Sequence, residues 1–236
     1  MKGTLFLIPT TLSDNTQKAV ISNHIRDAIG VTQSFLCENV RTGRRYISSL
    51  KIHESIESLN FDVLDKDTKA ESLAALMKPL SEGKNIGVIS ESGCPGVADP
   101  GALAVQFAHV NDYSVVPLVG PSSILLALMA SGLNGQKFAF HGYLPIDATE
   151  ANDAIKKLEY ESKEKNQTQI CIETPFRNNA LLRHLLATLH PDTRLCVASQ
   201  LTSPDEQIIC KEVSQWKKHP VTFEKEPAVF LFLASQ

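Results

Sequence analysis

The chain has no G-x-G-x-x-G, no G-x-x-x-x-G-K-[ST], no H-E-x-x-H and no C-x-x-C. The familiar dinucleotide, phosphate-loop, zinc-protease and dithiol signatures are therefore missing. No serine stands in a G-x-S-x-G elbow, which argues against a hydrolase of that type. No run approaches the roughly 18 apolar residues that a membrane span needs. An excess of one charge is lacking too. The net charge is -3, with 11 Lys and Arg against 13 Asp and Glu in residues 1–133 and 12 against 13 in the rest. Such a chain is no general polyanion binder, so a nucleic-acid contact would have to be a local patch. The five cysteines (Cys37, Cys94, Cys171, Cys196, Cys210) are odd in number and scattered, and no two stand at metal-ligand spacing. They read as buried free thiols in a reducing compartment, with no metal site. The opening Met1-Lys2-Gly3-Thr4-Leu5 has too short an apolar run for a signal peptide, so the expected location is the cytoplasm. Internal repeats and low-complexity segments are not found.

What is present is an ordinary soluble composition, 43% hydrophobic and 21% charged over 236 residues, enough for one large or two modest domains. Residues 86–102 organise the rest. Ile86-Gly87-Val88-Ile89 is short and apolar, the pattern of a strand buried on both faces. Ser90, Glu91, Ser92, Gly93, Pro95 and Gly96 end it and expose bare backbone. Asp99 with Pro100 behind it predicts a helix start. A strand that stops at small residues and restarts as a helix places its loop at the carboxyl edge of a sheet, where open α/β folds bind ligands. An ordinary strand-to-helix turn would use the same residue types. Glu91, an acid held rigidly at the strand end, points to a ligand loop.

Other segments bring loops to the same edge. Thr4-Leu5-Phe6-Leu7-Ile8-Pro9 predicts a buried strand, with Pro9 either a strand stop or a rigid wall. Residues 17–29 predict one helix, and Ser34-Phe35-Leu36-Cys37 a strand that delivers Glu38-Asn39-Val40-Arg41. Residues 42–50 read as a short basic helix with Arg44 and Arg45, and residues 69–82 as one amphipathic helix. Residues 114–119 form a further strand. Gly120-Pro121-Ser122-Ser123 then repeats the glycine, proline and serine device ahead of an apolar helix over 124–130, expected to be buried all round. Strands interleaved with helices predict a parallel sheet for residues 1–133.

Residues 134–236 have a different rhythm. Residues 138–145 begin a new strand and 149–166 a lysine-rich helix. Residues 168–172 form a strand leading into Glu173-Thr174-Pro175-Phe176-Arg177, and Asn178 or Asn179 is placed to cap the next helix. Extended runs at 195–199, 207–211 and 228–234 lack obvious intervening helices, which implies antiparallel pairing and a mixed sheet.

Taken in order, five stretches carry a resemblance. They are Gly3-Thr4-Leu5-Phe6-Leu7-Ile8-Pro9, residues 88–101, Pro117-Leu118-Val119-Gly120-Pro121-Ser122-Ser123, Ala130-Ser131-Gly132-Leu133 and Phe140-His141-Gly142-Tyr143-Leu144-Pro145. The set resembles the tetrapyrrole (corrin/porphyrin) methylases, most of all the branch that methylates the ribose 2′-hydroxyl of a cytidine in small-subunit ribosomal RNA. It extends through Glu173-Thr174-Pro175-Phe176-Arg177 and Thr202-Ser203-Pro204-Asp205-Glu206-Gln207.

The resemblance implies two α/β domains that hold S-adenosylmethionine in a cleft between them, usually as a homodimer. It assigns Pro9, Ser90, Glu91, Ser92, Gly93, Pro95, Ser122, Ser123, Glu173 and Thr202 to the cofactor. A ribose hydroxyl is a poor nucleophile and needs a base, for which Glu38 is the candidate, with Arg41 beside it. Arg44, Arg45 and Arg177 would complete a positive patch for ribosomal RNA, although Arg44 and Arg45 also suit a solvated helix face. Departures fall on the acceptor side. Glu38-Asn39-Val40-Arg41 stands where the branch carries Glu-Asp-Thr-Arg, and Pro175-Phe176-Arg177 replaces Pro-His-Arg. Glu91-Ser92-Gly93-Cys94-Pro95 replaces Asp-Ala-Gly-Thr-Pro. A methylase of a tetrapyrrole precursor or another small molecule, or a non-catalytic cofactor-binding relative, are the competing readings.

Overall fold

Strand β1 (Thr4–Ile8) is followed by two short helices, α1 (Gln17–Val20) and α2 (Asn23–Gly30), and by β2 (Ser34–Cys37). Next come α3 (Val40–Leu50), β3 (Asn60–Val63), α4 (Ala70–Leu76), α5 (Lys78–Ser81) and β4 (Ile86–Ile89). Helix α6 (Gly101–Val110) and strand β5 (Ser114–Pro117) complete this part. The computed structural model describes residues 2–219 and 221–235. The strands form one parallel sheet in the order β3-β2-β4-β1-β5. Alternation along the strands sends side chains to two faces. Ile8, Phe35, Cys37 and Ile89 pack with Ile25, Ile29, Ile47 and Leu50 of α2 and α3. Leu5, Leu36, Ile86 and Val88 pack with Leu73, Met77, Leu80, Ala104 and Ala108 of the later helices. Burial on both faces explains why these strands read as unbroken apolar runs.

Two helices expected to be continuous are broken. Over residues 17–29 the chain turns extended at Ser22, whose hydroxyl accepts from the Ile25 N–H and starts α2 afresh. Over residues 69–82 the break follows Pro79, which has no N–H to give to the turn behind it. Helix α4 therefore stops at Leu76 and α5 begins at Lys78 with proline in its first turn.

The chain divides into two compact units, Met1–Ser122 and Ser123–Gln236, so α7 (Ser123–Ser131) goes with the second. This unit continues with β6 (Phe138–Tyr143), α8 (Ala148–Lys165), β7 (Thr168–Glu173), α9 (Asn178–Thr188), β8 (Arg194–Ser199) and β9 (Gln207–Glu212). It closes with α10 (Val213–Lys218) and β10 (Ala228–Leu233). The sheet order is β6-β7-β10-β8-β9, with β6 parallel to β7 and the other pairs antiparallel. It is the mixed sheet the sequence implies.

Ile155, Leu158, Leu181, Leu185, Trp216, Phe230 and Phe232 fill one side of that sheet. Trp216 donates its buried indole N–H to the Leu195 carbonyl, 2.9 Å away, which anchors α10. Periodicity does not reveal this six-residue helix, because it makes less than two turns. Helix α7 packs against β8, β9 and β10 but is not buried all round. Ala127 and Leu128 are covered, whereas Leu125 and Met129 are 50% and 78% exposed, because only one side of the helix meets the sheet. Nor do Asn178 and Asn179 cap α9, which has Arg177 at its N-cap. Their amides reach the Glu226 and Phe223 carbonyls and tie down the segment before β10. No described helix is long and apolar enough to cross a membrane.

Candidate active site

Parallel register aligns the strand ends of the first unit. Ile89 faces Ile8 on one side and Cys37 on the other, so Pro9, Ser90 and Glu38 leave the sheet as neighbours. The Leu118 N–H reaches the Leu7 carbonyl at 3.1 Å and brings the loop after β5 to the same edge.

The loops there are fastened to one another. The Gly93 carbonyl accepts from both the Thr10 N–H (2.9 Å) and the buried Ser90 hydroxyl (2.8 Å). Gly93 itself has φ +73°, the left-handed region that glycine enters without cost. The Cys94 thiol lies 3.4 Å from the Pro121 carbonyl. Asp99 accepts from the N–H groups of Gly96 (3.0 Å) and Gly101 (2.6 Å), and so holds the loop to the start of α6. Helix α6 opens at Gly101 with Pro100 at its N-cap, one residue later than the sequence suggests. Pro9 is held rigidly: Tyr46 donates its buried hydroxyl to the Pro9 carbonyl at 2.8 Å, and the proline ring lies against Gly120. A Cβ on Gly120 would stand 2.3 Å from the Pro9 Cβ. Gly120→Ala is therefore expected to destabilise the first unit by about 2 kcal/mol, the scale of overpacking, as urea unfolding would measure. An unchanged midpoint would show that Pro9 moves aside freely.

Carboxylates converge on this edge. Glu38 is raised above the usual carboxylate range, first by partial burial, then by the nearby charges of Asp99, Glu91 and Asp65, with Asp99 close enough to share a hydrogen bond. Glu91 accepts from the Thr42 hydroxyl at 2.5 Å, while Ser92 beside it is exposed. Asn39 caps α3 by accepting from the Arg41 (2.9 Å) and Thr42 (3.4 Å) N–H groups. Arg41 is exposed in the first turn of α3, where a cation opposes the helix dipole, so helix stability does not account for it. Arg44 lies over the Phe61 ring at 5.3 Å, and Arg45 is exposed.

The remaining assigned residues have these places. Pro95 is buried in the central loop, and Ser122 and Ser123 are half-buried. In the second unit Glu173 is buried at the end of β7 and pairs with Arg177 at 2.9 Å, so the proposed cofactor residue and the proposed RNA residue neutralise each other. Thr202 has φ +71° and gives its N–H to Glu206 at 2.8 Å. Sequence reasoning passed over Thr42 and Tyr46, which hold Glu91 and Pro9 across elements, and Thr10, whose buried hydroxyl has no hydrogen-bond partner. The only sequence signal for Thr10 is its place directly after the strand.

A three-layer parallel unit with backbone-lined loops at its carboxyl edge, followed in the chain by a unit with a mixed sheet, is a fold found in solved structures. Uroporphyrin-III-C-methyltransferase from Thermus thermophilus shares it with a TM-score of 0.55 at 16% identity, over 99% of this chain and 93% of that one. The methyltransferase CobJ shares it with a TM-score of 0.63 at 14% identity, over 100% of both chains. In sequence, residues 24–215 match the Tetrapyrrole (Corrin/Porphyrin) Methylases. The chain belongs to this family of methyltransferases. Similar relatives include Ribosomal RNA small subunit methyltransferase I of Escherichia coli O157:H7, 31% identical over 88% of this chain and 68% of its own. The protein of the same name from Bacillus subtilis (strain 168) is 31% identical over 90% of this chain and 68% of its own. That from Buchnera aphidicola subsp. Acyrthosiphon pisum is 27% identical over 92% of this chain and 73% of its own.

Proposed function

We propose that the chain transfers a methyl group from S-adenosylmethionine to a ribose 2′-hydroxyl of small-subunit ribosomal RNA. The observation that carries this reading is the 31% identity to a ribosomal RNA small subunit methyltransferase over 88% of the chain. The carboxyl edge of the first unit suits such a donor. It offers the partnerless buried hydroxyl of Thr10 and clustered carboxylates. Like charges that crowd Glu38 favour a ligand carrying positive charge, and disfavour a phosphate-rich one there.

When bound, S-adenosylmethionine would supply a methyl group on a sulfonium, which leaves as a neutral thioether. The chain's own residues have four tasks. Ser90, Gly93 and Asp99 fix the loop in advance, so little ordering remains when a ligand arrives. Glu91, held by Thr42, offers acceptor oxygens to hydroxyl or amino groups. Glu38 takes the acceptor's proton, and a carboxyl whose pKa is raised is a stronger base than an ordinary one. Arg41 and Arg45, four residues apart on α3, meet the phosphates of the acceptor strand. The protein is proposed to act in the cytoplasm as a homodimer, a mass that light scattering would register.

The test is transfer of labelled methyl groups from S-adenosylmethionine into small ribosomal subunits that lack the modification. Transfer is expected to fall steeply with salt, and Arg41→Ala to lower it about tenfold at 0.15 M salt. Transfer indifferent to both would replace RNA by a small-molecule acceptor.

A further inference from the structure

Cys196 and Cys210 stand directly opposite each other in the antiparallel pairing of β8 and β9. Facing residues in such a pair have Cα atoms roughly 4.5–5.5 Å apart and side chains on one face. That spacing lies inside the roughly 4.4–6.8 Å that a disulfide spans. Both cysteines are free thiols. Leu195 and Val197 enter the core of the second unit, so by alternation Cys196 points to the other side of the sheet, and Cys210 with it. Strand β9 is the sheet edge, and Cys210 is half-buried while Cys196 is fully covered. We propose that Cys196 and Cys210 are a reactive dithiol that closes reversibly into a disulfide across the β8–β9 hairpin.

The two thiols already interact. The Cys196 S–H hydrogen-bonds to Cys210 and thereby lowers the Cys210 pKa, an effect that Arg194 reinforces against the cost of burial. The same bond, with burial, raises Cys196. Arg194 pairs across the strands with Glu212, two residues along from the thiols on each strand and on their face. The other thiols differ. Cys37 is pushed up to about 11 and Cys171 to about 12 by burial, and Cys94 is raised by burial as well. Cys210 is therefore the attacking thiol and Cys196 the resolving one.

With a low-molecular-weight disulfide such as oxidised glutathione, the Cys210 thiolate attacks one sulfur and breaks the S–S bond. One glutathione thiolate is released and a mixed disulfide remains on Cys210. Cys196 gives its proton to the released thiolate and attacks the Cys210 sulfur, expelling the second glutathione as a thiolate, which takes up the proton that Cys210 gave to water on ionising. Two protein thiols are oxidised, the small disulfide is reduced to two thiols, and the protons balance. The ring so closed contains residues 200–206, where Gln200 and Thr202 hold left-handed backbone conformations at φ +51° and +71°.

The test is to treat the folded full chain with oxidised glutathione and read each cysteine by peptide mass spectrometry. The expected product links Cys196 to Cys210, is lighter than the dithiol by two hydrogens, and reverts with dithiothreitol. Cys210 should react about tenfold or more faster than Cys94. Cys196→Ser should instead keep glutathione on Cys210, and Cys210→Ser should leave Cys196 unmodified in the folded state. Wild-type protein that retains the Cys210 adduct would show that Cys196 cannot reach it. Wild-type protein with both thiols untouched, while Cys94 reacts, would remove the dithiol altogether. Either result overturns the proposal.

Discussion

Exchange of Glu38 for glutamine is expected to lower the turnover number for methyl transfer by about 10²–10⁴, the usual span for losing a positioned acid–base group. Glutamine keeps the length and a hydrogen-bonding end but cannot take a proton. The pH profile identifies the role. Activity of the wild-type chain should rise with pH as Glu38 ionises, with its midpoint above the ordinary glutamate range because burial and the carboxylates of Asp99, Glu91 and Asp65 hold the proton on. The variant should lack that rising limb. Stability runs the opposite way. A raised folded-state pKa gives stability that is present below the unfolded value and is lost as pH rises through the folded one. Thermal melts should therefore show wild type losing ground to Glu38→Gln only above about pH 4.5, the unfolded glutamate range. A variant with full activity and an unaltered profile would mean that the base lies elsewhere.

Replacing Glu91 by alanine should weaken binding of S-adenosylmethionine by about 1–3 kcal/mol, or roughly five- to 150-fold in Kd. Its carboxylate stands two residues after the end of the buried strand β4 and is held by the Thr42 hydroxyl at 2.5 Å. The loop behind it does not depend on that side chain, because Gly93 is fastened by Thr10 and Ser90. The fold should survive and the loss should appear in affinity alone. Calorimetric titration reads it directly. An unchanged Kd would show that the backbone of this edge does the binding unaided.

How far the sequence reveals this architecture depends on how local each cause is. Strands β1, β2 and β4 are legible because burial on both faces leaves them almost wholly apolar, with a polar residue only at the first position of β1 (Thr4) and β2 (Ser34). The carboxyl edge is legible because Gly93, Pro95 and Gly120 cannot be anything but turns. Helix breaks were harder. Pro79 stands inside an apolar periodicity that runs past it, and Ser22 signals a new helix only once the chain before it has ended. Long-range pairings were not legible at all. Nothing near Arg44 indicates that Phe61 lies beneath it, and Glu173 and Arg177 carry the spacing of a helical pair although one is in a strand. The crowding that raises Glu38 joins four acids from three loops, which only the fold assembles.

Strand β10 is the last of the described elements and yet the central strand of the second sheet, bonded to β7 on one side and β8 on the other. The order of synthesis and the order of assembly therefore differ between the units. On a ribosome, the first sheet has all its strands once Pro117 has emerged. The second cannot join its β6-β7 and β8-β9 halves until residues as far as Leu233 are out. Until then two open strand edges await a partner, and pairing with another nascent chain is the competing outcome. Slow emergence of β10 thus exposes the second unit, and not the first, to aggregation.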